Sequence, residues 1–307
     1  MGSKKGLGKE IVALAVIIIV SFGIFSVTYY IESKRRVERY FNEALGFERQ
    51  GNLDRALEYY DKVLSQNKSH TEALKHKAIL LAWQEKYEDA LRIYDKLIEM
   101  NKGNFEIWSN KGLILHTLGK YEEAVLSFVE ALKLKEDWAN GWVYLGYSLS
   151  ALNLDKEAEA AFERAIEFDK NMYDGWLGKA ETLFKMKKYD KALVAFDKVL
   201  ELKSDSADAY AGKGNCLLEL GQPEKALESF KKSLSIENDL IAGLNGKAKA
   251  LLRLGHISAA RHTLKKALEI DENDAELWKT MAELLEKVGR HQEAQQALEK
   301  ATAQLEK

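Results

Sequence analysis

Six histidines and one cysteine are the side chains with the chemistry to ligate a metal or act as a nucleophile. His70, His76, His116, His256, His262 and His291 share no metal-ligand spacing such as H-E-x-x-H, which would set two imidazoles on one helix face. One cysteine cannot build a Cys₄ zinc site, nor close a disulfide within the chain. Cys216 sits beside Leu217 and Leu218, the setting of a buried, inert thiol. These spacings predict no enzyme, no cofactor and no metal.

The charged residues are periodic. Glu38, Glu72, Glu106, Asp174, Asp208 and Glu276 recur at expected helix starts. A cation site is one reading of them; the stronger one is that anions at helix N-termini complement the backbone dipole. Lys62, Lys96, Arg164, Lys198, Lys232, Lys266 and Lys300 form a basic row, which the same argument places in last turns. The net charge is −2, and residues 1 to 36 hold six basic and two acidic side chains, which leaves about −6 on the rest. A nucleic-acid binder shows a basic footprint; this chain has none, so no nucleic acid is expected.

The elements that carry these residues repeat. Ala56, Ala90, Ala124, Ala158, Ala192, Ala226, Ala260 and Ala294 are spaced by 34 residues without one insertion. A small residue keeps the same beat twelve places earlier, from Ala44 to Ala282, with a large one four places before it, as at Trp108, Trp142 and Trp176. An apolar residue follows the small one by three, as at Leu115. Spacings of three and four share a helix face. A second helix repeats the device, with Tyr60, Tyr94, Phe128, Phe162, Phe196, Phe230, Leu264 and Leu298 four places after the fixed alanine. Gly51, Gly119, Gly221, Gly255 and Gly289 fall between the two helices, where a left-handed residue ends the first. Each period is a helix hairpin that must stack on neighbours to bury its apolar face.

The pattern Trp-x-x-x-Gly…Leu…Gly-x-Tyr-x-x-Ala…Phe-x-x-Ala resembles the tetratricopeptide repeat, over residues 37 to 307. The repeats are 37–70, 71–104, 105–138, 139–172, 173–206, 207–240, 241–274 and 275–307. Two departures stand out: the proline usual near the end of the second helix is absent from every copy, and lysine precedes the small residue at Lys77, Lys111, Lys179, Lys213 and Lys247. The final helix, HQEAQQALEKATAQLEK, has a polar outer face. It reads as a terminal cap, so the array is expected to end there. The resemblance implies an all-α fold, a right-handed α-solenoid of eight 34-residue helix-turn-helix repeats. It also implies a concave groove lined by first helices, in which a protein or peptide partner lies. Carrying the family's groove positions onto this chain gives Trp83, Asn110, His116, Tyr144, Tyr147, Phe184, Asn215, Asn245, Lys249 and Arg253. The family's carboxylate clamp for chaperone tails does not carry over, because Lys75 is followed by Ile79 and no repeat has lysine at its second position.

Ahead of the array, after a short basic tail over residues 1–10, residues 11–31 read IVALAVIIIVSFGIFSVTYYI, 21 residues without a charge. That length suffices for a transmembrane helix. An uncleaved anchor is expected in place of a signal peptide, since ALA falls inside the apolar run. Residues 32–36 are a basic linker of helix formers, and no glycine or proline lies between Gly23 and Gly46, which predicts one helix from Ile11 to Phe47. Lys34, Arg35, Arg36 and Arg39 would ring it at lipid-headgroup height. They outnumber Lys4, Lys5 and Lys9 on the other flank, which places the array on the cytoplasmic face of the cell membrane. The functional expectation is a single-pass, membrane-anchored scaffold or receptor for a protein or peptide. The alternative is an anchored assembly factor or chaperone for membrane or exported complexes. Self-association stays open.

Overall fold

Alanine and glycine at the inner positions of each hairpin let two helix backbones approach closely. A computed structural model describes residues 4–100 and 104–305, with side chains for residues 20–100 and 104–304. Sixteen α-helices and no strand occur among the described residues. They fall into two units, residues 1–118 and 119–307. The first unit contains α1 (Lys4–Arg49), α2 (Leu53–Gln66), α3 (Thr71–Trp83), α4 (Tyr87–Met100) and α5 (Phe105–Thr117). The second contains α6 (Tyr121–Leu134), α7 (Ala139–Ala151), α8 (Asp155–Phe168), α9 (Tyr173–Lys185), α10 (Tyr189–Leu202), α11 (Ala207–Glu219), α12 (Pro223–Ile236), α13 (Ile241–Arg253), α14 (Ile257–Ile270), α15 (Ala275–Lys287) and α16 (His291–Leu305).

The alanines of the 34-residue beat, Ala56 to Ala294, are all fully buried. Around them Tyr60, Tyr94, Phe128, Phe162, Phe230 and Leu264 are buried completely, each contributing on the order of 2 kcal/mol of apolar burial. Helix starts are fixed by side-chain caps at several repeats. Asn52, His70, Asn104, Ser206 and Asp274 each accept a backbone N–H from the first turn that follows. Helix ends are fixed by a left-handed residue. Gly221 takes φ 71°, and Gln222 N–H returns to Leu217 C=O at 2.8 Å, the closure of a Schellman turn. Three turns have no glycine, yet Glu85, Asn153 and Lys187 hold φ near 60° there.

In the second unit each first helix also touches the next first helix, α7 on α9, α9 on α11, α11 on α13 and α13 on α15. Among the described residues no pair of second helices does so to a comparable extent. The first helices therefore lie on the tighter side of the stack.

The structure differs from the sequence reading in three places. Glu38 lies inside α1, a single helix of 46 residues, so it caps nothing. The basic row sits one turn before the helix ends, not in the last turns. Its side chains reach back to the end of the preceding repeat and to the first helix of their own: Arg164 pairs with Glu136 and lies over the Trp142 ring, while Lys96 and Lys266 donate to the carbonyls of Lys68 and Asn238. Lys300 lies 4.1 Å from the Trp278 ring centroid in the same way. Finally, no helix among the described residues is long and apolar enough to cross a membrane. The side chains of Lys4, Lys5, Lys9 and of residues 11–19 in the expected span lie outside those described.

Candidate partner-binding surface

Successive repeats are joined by two columns of contacts at a spacing of 16 residues. The first links the buried ring of one second helix to the sixth residue of the next repeat. His76 stacks on Tyr60 at 5.6 Å, Asn110 hydrogen-bonds to Tyr94, and Tyr144 stacks on Phe128 at 5.8 Å. Burial pushes the Tyr94 hydroxyl up to about 12. Further on, glycine takes the covering position. Gly178, Gly212 and Gly246 let Phe162, Phe196 and Phe230 slide under the helix backbone. The ring of Phe162 also faces Gly146 of its own repeat, where an added Cβ would fall 2.7 Å from it. The second column is ionic. Lys77 pairs with Asp61, Lys111 with Asp95 at 2.6 Å, Lys179 with Glu163 at 2.8 Å and Lys213 with Asp197 at 2.6 Å. Four of the five lysines that depart from the family pattern thus clasp the preceding repeat, and Lys247 makes no such pair among the described residues.

The candidate groove residues divide between the units. In the first, Trp83 ends α3 and is 64 % exposed. Asn110 is engaged with Tyr94, and His116 is half-buried on α5, with burial holding its imidazole below the usual histidine range. In the second, Tyr147 lies edge-on to Phe162 at 5.1 Å, its hydroxyl donates to the Asp174 carbonyl at 3.4 Å, and burial raises its pKa. Phe184 is half-buried against Tyr189. Asn215 and Lys249 are half-buried and Arg253 is exposed. Lys249 lies 3.8 Å from Glu276. Asn245 Oδ1 is buried with no hydrogen-bond partner among the described residues, an acceptor whose desolvation is uncompensated. All seven second-unit candidates lie on first helices.

Asn110 and Tyr144 also belong to the 16-residue contact column, each against the ring of the preceding repeat. At the headgroup positions, Lys34, Arg35 and Arg39 are exposed, whereas Arg36 is half-buried with its Nε enclosed. Sequence reasoning read Asp174 and Asp208 as helix-start anions and did not single out Glu181. These acids follow Tyr147 along the first helices, and their signal was the second and ninth repeat positions. Desolvation and the nearby Asp208 raise the Glu181 pKa.

The histidines have structural posts. His70 caps α3, His76 meets Glu48 at 2.9 Å, and His291 meets Glu286 at 2.7 Å. Cys216 is fully buried, its thiol pushed up to about 12 by burial. No His, Cys, Asp and Glu cluster able to hold a metal ion occurs among the described residues.

Stacked helix hairpins of constant length, joined repeat to repeat by fixed contacts, define an α-solenoid of the protein-interaction kind. Models of the tetratricopeptide repeat match residues 48–114, 156–216, 183–249, 217–284 and 251–307, and a second such model matches 105–137 and 139–172. The chain belongs to the tetratricopeptide repeat family. Comparison with curated proteins finds no match. Among solved structures the chain is similar to YrrB, described as a tetratricopeptide repeat protein with an unusual peptide-binding site. The identity is 27 %, covering 61 % of this chain and 97 % of that one, at a TM-score of 0.54. A tetratricopeptide repeat protein from Parabacteroides merdae covers 87 % of this chain and 99 % of its own at 17 % identity and a TM-score of 0.64. MamA covers 55 % and 92 % at 22 % identity and a TM-score of 0.53. The latter two likenesses concern the fold alone.

Proposed function

We propose that this chain is a membrane-anchored scaffold or receptor that holds a protein or peptide partner on the first-helix face of its second unit. The observation that carries the reading is that face: Tyr147, Phe184, Asn215, Asn245, Lys249 and Arg253 share it, and Asn245 offers a buried acceptor that nothing among the described residues satisfies. A backbone N–H of an extended peptide is the natural donor to such a group. Family membership supports it, as does the peptide-binding site ascribed to YrrB, of which the chain spans nearly the whole length. The anchor is supported by α1 between Val20 and Ile31. There Phe22 is 72 %, Ile24 61 % and Phe25 67 % exposed, on a stretch of the helix that no other described residue covers. Such a surface is stable in lipid and costly in water. A cytoplasmic array follows from the flanking charges.

The test is affinity capture with the full chain in detergent, followed by carbonate extraction of the native membranes. One stoichiometric partner, reduced in the Tyr147→Ala and Asn245→Ala variants, is the expected result. Capture of many unfolded polypeptides would instead favour the assembly-factor reading, and release of the chain by carbonate would overturn the anchor.

A further inference from the structure

Four equivalent pockets recur in the second unit, each between a second helix, the first helix that follows, and the start of the next second helix; the last, between α14, α15 and α16, has Met281 in the lysine position and Glu293 in its lining. In the first of them Glu163 faces Lys179, and Asp190 lines the same pocket. In the next, Asp197 faces Lys213, and Glu228 stands alongside. In the third the acids are gone. Lys231 occupies the place of Glu163 and Asp197, opposite Lys247; Ser258 replaces Asp190, and His262 replaces Glu228. His256 completes a lining that contains no carboxylate. Neither lysine makes an ion pair among the described residues, although the equivalent lysines at 179 and 213 do. Helix α13 has no acidic residue, the only one on α14 is Glu269 near its far end, and Glu228 on α12 lines the neighbouring pocket. The start of α14 borders all this, but what sets the pocket apart is the loss of every acid in a chain of net negative charge.

We infer that this pocket, between α12, α13 and the start of α14, binds a carboxylate-bearing segment of a partner protein. Two like charges facing each other across a repeat junction repel, and each lacks the counter-ion its equivalents have. An incoming carboxylate supplies it. Leu227, Leu251 and Ile257 line the same pocket, so the fitting segment sets an aliphatic side chain next to Asp or Glu. The inference rests on the reading of the chain as a peptide-binding scaffold, but it adds a contact away from the first-helix face.

The test uses the full chain in phosphatidylcholine nanodiscs and a fluorescent peptide of alternating Glu and Leu, read by anisotropy. Lys231→Asp restores the acid–lysine pair seen at 163/179 and 197/213, so it is expected to fold. It should weaken the peptide by roughly tenfold or more, because attraction becomes repulsion. Lys247→Gln should weaken it less, and Lys191→Ala, in the pocket two repeats earlier, should not change it. A Gln–Leu peptide should not compete. Unchanged affinity in Lys231→Asp would overturn the pocket and leave the first-helix face to be judged by its own capture experiment. Binding of inorganic phosphate or phosphatidylserine vesicles with none of the acidic peptide would overturn it too, by showing an anion site of another kind.

Discussion

Tyr144 shows how much one residue can carry. Its aromatic type and its place on a first helix were legible in the sequence, as was the 34-residue beat of its neighbours. That its ring lies flat on Phe128 was not, because the contact joins two repeats at a spacing of 16 that no single-helix periodicity displays. The same column explains the glycines. Gly178 has no side chain because the ring of Phe162 fills the space where one would go. Gly178→Ala is therefore expected to cost about 1–3 kcal/mol through overpacking, measured by urea unfolding. Stability within 0.5 kcal/mol of wild type, about the noise of a surface substitution, would count against the close approach. His116 gives a pH prediction. Burial holds its imidazole below the ordinary value, so the unfolded chain takes up that proton first. Native stability then falls as pH drops below about 6.5 and levels off once the folded imidazole also protonates. His116→Gln should flatten the fall in melting temperature between about pH 7 and pH 5. An identical slope in both proteins would show that His116 is not its source.

At the scale of the helix, periodicity located every hairpin but not its ends. The basic row was placed in last turns because spacing fixes a residue's face and not how far the helix continues. Each second helix in fact runs beyond the row, and Arg164 is left free to reach Glu136 and Trp142. The turns were legible where glycine marked them and silent at Glu85, Asn153 and Lys187, whose φ angles are near 60° all the same. Left-handed backbone costs an ordinary residue roughly 1 kcal/mol that glycine does not pay. Lys187→Gly should therefore raise stability by up to about 1 kcal/mol, and Gly221→Ala should lower it by a similar amount. Opposite signs in parallel thermal melts are the outcome to look for; equal signs would refute the assignment of these turns.

For the molecule as a whole, family and fold follow from one repeated period, whereas the acid-free pocket is visible only when equivalent pockets are laid side by side. The largest element is α1, 46 residues without a break and about 70 Å long. Spin labels placed singly along residues 28 to 44 of the reconstituted protein should show mobility oscillating every 3.6 residues, the helical repeat. Uniformly high mobility over residues 32 to 36 would reveal a hinge. Since the end of α1 is also the first helix of the first repeat and packs on α2, the segment between the proposed anchor and the repeat would work as a shaft. Each residue of a helix advances the next by about 100°. One alanine inserted after Lys34 would turn the first repeat by that angle about the shaft, without altering any contact on either side. Over residues 32 to 36, length and compass bearing are thus a single quantity, and a partner that needs the repeat to face one way would register the insertion as a lost heading.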